Sequence, residues 1–461
     1  MPPRFVSTQR TRDKVRSERA DPTSLERAVR QLLADRVSGN QVGVWLLIPE
    51  HLRLGTWDLL CPWTAAAPEA VEPRLALHLI HEAALCLRDL RHDRSLSQKG
   101  FELANGLPFV PTDQAIHDLL EARSVADSEQ LQIALGKLRR VNHHFQGRLL
   151  AIDPHRMKSF SKRQMRRRQS GAHAKAEKIG QCFFCLDADT QQPVCFTLSS
   201  SAPDVTQLTP HLLEMAAAIL NPEKQATKPL VMADKEHFSA ELIDAVMARG
   251  LFDLLIPIPR QPALLRQWEQ LPAKRFKTHW PGYAIAQESY RLRHGQTHGC
   301  FQFIQRTGAR SPYQFQGFFS TRDGLPLPDL TLHYPKRWHV EEFFKFNQAL
   351  GWERAGTLNL NVRYAQMTMA LMAQALIHQL RQRLGKPYCS WDASHLARQL
   401  FDGLDGDIRV SGDTILVTYY NAPNADKLRE HYENLEEKLA AEGISNKVPW
   451  LYNFKLDFRF K

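Results

Sequence analysis

The chain has 461 residues, 43% apolar and 24% charged, with 60 Lys and Arg against 49 Asp and Glu for a formal net charge of +11. That length and apolar share imply a folded protein of more than one domain, and the basic excess favours a polyanionic partner. No run of about 18 apolar residues occurs, so no membrane span is expected. The N-terminal MPPRFVSTQRTRDKVRSERA lacks the apolar core of a secretory signal, so the expected location is the cytoplasm. Seven scattered cysteines argue against a disulfide framework. Cys182 and Cys185 form a C-x-x-C, but a strand there would point them to opposite faces, and no second such pair follows.

In chain order, residues 1–20 read as a basic arm that can lie along phosphates. The stretches SLERAVRQLLADRV, PRLALHLIHEAALCLRDLRHD, PTDQAIHDLLEAR and DSEQLQIALGKLRRVNHHF carry helical periodicity and start near Asp, Ser, Thr or Pro. Residues 1–146 are therefore expected to form an arm and a helical domain suited to DNA, although no helix-turn-helix pattern is present. From Gly147 the pattern changes. GRLLAIDPHRM reads as an apolar strand ending at Asp153, and KIGQCFFCLDADTQQPVCFTLSSS as a hairpin turning at 187–192. A helix follows over PDVTQLTPHLLEMAAAILN, then a strand, KPLVMAD, ending at Asp234. SAELIDAVMARG is a helix capped by Ser239 and closed by Gly250, and LFDLLIPIPR a further strand. Residues 147–258 thus predict an α/β fold, a mixed sheet with flanking helices.

Residues 259–330 lose helical pattern and become basic and aromatic, which reads as a β-rich insertion. Residues 331–385 return to helix, with YPKRWHVEEFFKFNQAL and then NVRYAQMTMALMAQALIHQLRQRLG, whose methionines read as core filler and which is expected to pack on the sheet. Residues 386–461 read as a small α+β tail with a two-strand unit, a charged helix and a final alternating strand.

Asp153 and Asp234 at strand ends and Glu341 on a helix supply three carboxylates to one cleft. Close carboxylates repel, and hard divalent cations bound through oxygen keep them ionised. Two magnesium or manganese ions, about 3.5 to 4 Å apart, suit in-line displacement at a phosphodiester. Read as a helix at about 100° per residue, Tyr334, Glu341, Lys345 and Gln348 share a stripe flanked by Arg337 and Trp338. The basic run after Asp153 includes Arg163, Arg166, Arg167 and Arg168, which beside such a site suits phosphate. Trp280, Tyr283, Tyr290, Arg291 and Arg293 of the insertion suit stacking at a DNA end.

YPKRWHVEEFF resembles the Tyr-x2-Arg-x3-Glu-x6-Lys signature of the insertion-sequence DDE transposases, with Tyr334, Arg337 and Glu341 in register. LLAIDP and VMADKEHFS resemble the same family's first and second Asp segments, and the likeness spans about 147–375. Gln348 stands where the signature has Lys, with Lys345 one turn earlier, and Glu236 and His237 depart from the usual residues after Asp-Lys. The resemblance implies a ribonuclease H-like core and a catalytic triad of Asp153, Asp234 and Glu341 holding two Mg or Mn ions. It also implies DNA contacts from Tyr334, Arg337 and Lys345, and a homodimer on double-stranded DNA in a bacterial cell, associated with the nucleoid. The implied activity is cleavage at transposon ends and strand transfer into target DNA. The alternatives are a catalytically inactive DNA-binding descendant and a metal-dependent nuclease of the same fold.

Overall fold

The computed structural model describes residues 21–39, 41–87, 99–158, 167–168, 175–199, 205–325, 327–352 and 359–461. The basic arm expected over 1–20, and Arg163 and Arg166, lie outside the described residues. The chain divides into two compact units, one of Met1–Asn142 with Lys345–Lys461 and one of His143–Phe344.

The second unit is built on one mixed sheet. Its strands run in the order Gln192–Ser199, Glu177–Asp187, Leu149–Lys158, Leu230–Met232, Asp253–Pro257, Gln314–Ser320, Cys300–Thr307, Tyr283–Tyr290 and Lys277–Trp280. The first three are antiparallel neighbours, and the turn at 187–192 joins the first two as predicted. Leu230–Met232 runs parallel to Leu149–Lys158 on one side and to Asp253–Pro257 on the other. Parallel neighbours need crossovers, and helices Val205–Leu220 and Ala240–Arg249 supply them. Ser239 caps the latter by accepting from the Leu242 N–H, and Gly250 closes it at φ 64°, as its sequence requires.

Strands buried on both faces need near-continuous apolar runs, and Leu149 to Ile152, Leu230 to Met232 and Leu254 to Ile256 are all buried. Asp153 does not end its strand, contrary to the expectation. The hairpin with Glu177–Asp187 continues to Lys158, while the parallel partner stops at Met232. Asp153 therefore sits where the sheet loses one neighbour, not where the strand stops.

The insertion is a four-stranded antiparallel meander whose last strand, Gln314–Ser320, pairs with Asp253–Pro257, so its ladder is continuous with the core sheet. It also contains a helix, Pro262–Glu269, which the loss of helical periodicity did not predict. That helix seats Trp268, 1% exposed, on the meander, with its indole N–H donating to Gln302 Oε1 at 3.1 Å.

In the first unit, helices Pro22–Ala34, Glu72–Ala84, Asp113–Glu121 and Val125–Val141 form where predicted. Helix Leu360–Leu384, expected on the sheet of the other unit, belongs here. It packs against Ile48–Leu54, Glu72–Ala84, Asp113–Glu121 and Val125–Val141, and Met367, Met369 and Met372 are buried. A helix buried on nearly every side, Arg363, Gln374 and Arg381 included, needs neighbours all round, which a sheet face does not give. The tail forms a second sheet with Gly406–Ser411, Thr414–Tyr419 and Phe454–Phe460, to which Val37–Gly39 adds an edge. Its predicted single helix is two, Ala425–Tyr432 and Leu435–Ala441, separated at Asn434 with φ 56°.

Gly317 faces Trp268 across the meander, and a Cβ placed there would lie 2.4 Å from the indole Cζ2. Gly317→Ala is expected to cost about 1 to 3 kcal/mol by overpacking. Urea unfolding followed by tryptophan fluorescence measures it, and an unchanged midpoint would show that the helix can move aside.

Candidate active site

The parallel register pairs Ala151 with Met232. Two residues further along each chain stand Asp153 and Asp234, so the two acids sit level at the edge of neighbouring strands about 4.8 Å apart. Asp234 then caps the turn Lys235–His237: its Oδ1 accepts from the Glu236 N–H at 2.9 Å and lies 3.0 Å from His237 Nδ1. Residues 236 and 237, where the sequence departs from the signature's usual pattern, thereby hold the second acid. His237 is buried, and Glu236 pairs with Arg156, three residues beyond Asp153.

Glu341 lies on helix His339–Asn347. The helix starts later than predicted, because Asp329–His333 forms a π-turn and Tyr334–Trp338 a 3-10 segment. Gln348 falls beyond it in a separate turn, after Asn347 leaves helical geometry. The predicted stripe from Tyr334 to Gln348 is thus not one helical face. Arg337 nonetheless reaches the acids, with Nη1 3.4 Å from Asp153 Oδ1 and its guanidinium over the Trp338 ring.

The surroundings of Asp153 and Asp234 act on the two acids unequally. Burial is the main force that pushes Asp153 up to about 6, and the charges of Asp234 and Glu341 add to it, against the opposing pull of Arg337 and His237. Burial also opposes ionisation of Asp234, but its bond to His237, that residue's charge, the Glu236 N–H and Arg337 outweigh it and hold the carboxyl below its usual range. One acid is thus reluctant to ionise beside another kept ionised.

Tyr334 turns inward. Its hydroxyl donates to the Ala233 carbonyl at 3.2 Å, its ring stands edge-on to Phe318 at 4.8 Å, and burial raises its pKa to about 12. That bond joins the start of the Glu341 segment to the strand end that carries Asp234. Lys345 is exposed one turn after Glu341. Arg167–Arg168 pair as a short strand with Glu177 and Lys178, and Arg167 is exposed. In the insertion Trp280 is exposed and stacks on Tyr283 at 4.2 Å, Arg291 and Arg293 are exposed, and Tyr290 packs on Phe238 and Phe319.

Among the described residues no group of three or more His, Cys, Asp or Glu side chains stands closed as a ligand set for a metal ion. Arg337 lies against Asp153 and His237 against Asp234 instead. The chemistry of the donors still fits a hard divalent cation, because all three are carboxylates.

The chain belongs to the transposase DDE domain family, matched over residues 144–376. That span contains Asp153, Asp234 and Glu341. Among solved structures the chain is similar to a piggyBac transposase synaptic complex with hairpin DNA, at 12% identity over 77% of this chain and 85% of that one, with a TM-score of 0.35. No curated protein matches it.

A carboxyl that ionises near pH 6 in the fold, against a reference value of 3.8, holds its proton more tightly folded than unfolded. Ionising it therefore costs stability; the cost is absent below about pH 4 and complete above about pH 6. At pH 7.5 with divalent ions chelated, Asp153→Asn is expected to stabilise the fold by on the order of 1 to 3 kcal/mol, at about 1.4 kcal/mol for each tenfold change in proton affinity. The gain should vanish near the lower end of that pH window, and thermal unfolding at the two pH values checks both signs.

Proposed function

We propose that the protein is a transposase that cuts at the ends of a mobile DNA element and joins the freed 3′-hydroxyl to target DNA. The observation that carries the reading is the register that sets Asp153 and Asp234 just past the paired stretch of neighbouring parallel strands, with Arg337 of the Glu341 segment 3.4 Å from Asp153, within the family-matched region. The Tyr-Arg-Glu spacing of Tyr334, Arg337 and Glu341 supports the insertion-sequence type. A ribonuclease H-like core is supported by the order of its five strands: an antiparallel hairpin on one side of the first strand and two parallel strands on the other.

In this reading Asp153, Asp234 and Glu341 hold two Mg or Mn ions, which when bound acidify the attacking water or hydroxyl and neutralise the leaving oxygen. Asp153 and Asp234 hold their carboxylates at fixed strand positions, and Glu341 closes the set from its helix. Arg337, already within reach of Asp153, grips the scissile phosphate, and Lys345, Arg167 and Arg168 contact flanking phosphates together with the basic run around Arg163 and Arg166. Tyr334 serves from behind, keeping the Glu341 segment on the Asp234 strand end. The helical region before residue 147 reads the element's end sequence, residues 259–330 form the insertion, and the tail past residue 385 supports a homodimer that holds two ends. Among the described residues no helix is long and apolar enough to cross a membrane.

Asp234→Ala is expected to abolish magnesium-dependent cleavage of an end-containing duplex while DNA affinity, measured by fluorescence anisotropy without divalent ions, stays within a few-fold. A variant that still cleaves removes Asp234 from the site. A wild-type chain that binds ends without cutting them supports the DNA-binding descendant, and one that cuts but gives no joined product from pre-cut ends supports the nuclease.

The reaction should also fall as pH drops through about 6, because Asp153 must lose its proton to bind a cation. Raising the divalent ion concentration should move that fall to lower pH. A profile indifferent to metal concentration would separate the acid limb from Asp153.

A further inference from the structure

The helix that carries Glu341 is docked on its far side by the hairpin turn at 187–192. Three residues of the turn meet three residues of the helical segment at a spacing of three. Lys336 Nζ lies 2.7 Å from Asp189 Oδ1, His339 Nδ1 lies 2.7 Å from the Ala188 carbonyl, and Gln191 Nε2 donates to Glu342 Oε2 at 3.4 Å. Residues 336, 339 and 342 thus share a face, while Arg337 and Glu341, four apart, lie on the next one, towards Asp153.

The turn is held by hydrogen bonds of its own, none of which involves the helix. The buried Asp187 carboxylate accepts from the N–H groups of Gly147, Asp189 and Thr190 and from the Thr190 hydroxyl. Asp189 is the anchor of the dock: its side chain is 5% exposed, and it is shared between Lys336 and Arg148, whose Nη2 is 3.2 Å from Oδ2. At the other end of the helix, Phe344 stacks on His155 at 3.9 Å and meets Phe184 edge-on, tying it to the strands of the hairpin itself. A basic residue next to Arg337 would by default be assigned to phosphate, but the Lys336 ammonium is already committed to a nearly buried carboxylate.

We propose that Asp189 is a positioning residue: through Lys336 it fixes the height of Glu341 opposite Asp153 and Asp234, and so sets the site's affinity for divalent cations without contributing to DNA affinity. The proposal rests on the three-carboxylate reading above. Groups behind metal ligands typically act this way, and losing one weakens metal binding by about 10- to 100-fold.

The test uses the full chain and Mn2+ as the probe, followed by electron paramagnetic resonance with and without duplex DNA. Asp189→Asn and Lys336→Met each keep side-chain volume and are expected to raise the half-saturating Mn2+ concentration about tenfold or more. Their DNA affinity without divalent ions should match the wild type. The exchange of charges in Asp189→Lys with Lys336→Asp is expected to restore most of the Mn2+ affinity. Unchanged Mn2+ binding in the single variants overturns the proposal. So does weakened DNA binding at normal Mn2+ affinity, which would make Lys336 a phosphate contact, or a charge exchange as defective as either single change. A wild-type chain that binds no Mn2+ overturns the three-carboxylate reading itself, and the positioning role with it.

Discussion

Everything at the site follows from one mismatch of strand lengths. Leu149–Lys158 is paired along nearly its whole length by the hairpin strand but only along its first residues by the parallel neighbour. Where that neighbour ends, the backbone of the longer strand has one flank without a ladder. Asp153 and Asp234 occupy the two sides of that step. Their proximity is a property of the register, independent of either side chain, and the cost of putting two acids there is carried by the rest of the sheet.

The groups around the step divide the electrostatic work unequally. Asp234 is held ionised by His237 and by a backbone amide, whereas burial dominates at Asp153 and raises its carboxyl even though Arg337 and His237 counter the charges of Asp234 and Glu341. The difference between the two acids is therefore one of burial against local hydrogen bonding.

Much of this is legible in the sequence because local signals agree with the fold. Ser239 and Gly250 bracket their helix, the polar turn at 187–192 closes its hairpin, and the apolar runs before Asp153 and Asp234 form buried strands. Expectation and structure part where a long-range partner decides. Nothing in GRLLAIDPHRM says that its hairpin partner outlasts its parallel one, so the pattern puts Asp153 at the strand's end. A fixed 100° step starts the Glu341 helix too early because it does not register the π-turn and 3-10 segment around Pro335. The burial of helix Leu360–Leu384 among other helices is not written in its pattern, because polar Arg363, Gln374 and Arg381 are buried along with its methionines. His237 looks like a departure from the signature, and only its partner in space, Asp234, gives it other work.

The insertion shares a hydrogen-bond ladder with the core: Ser320 pairs with Leu255, and Leu255 with Met232, two residues before Asp234. A module joined by a flexible linker can swing without disturbing what it is attached to, but a module joined by strand pairing cannot. The insertion is thus an extension of the same sheet that carries the acids, and its last strand lies two ladders away from the second of them.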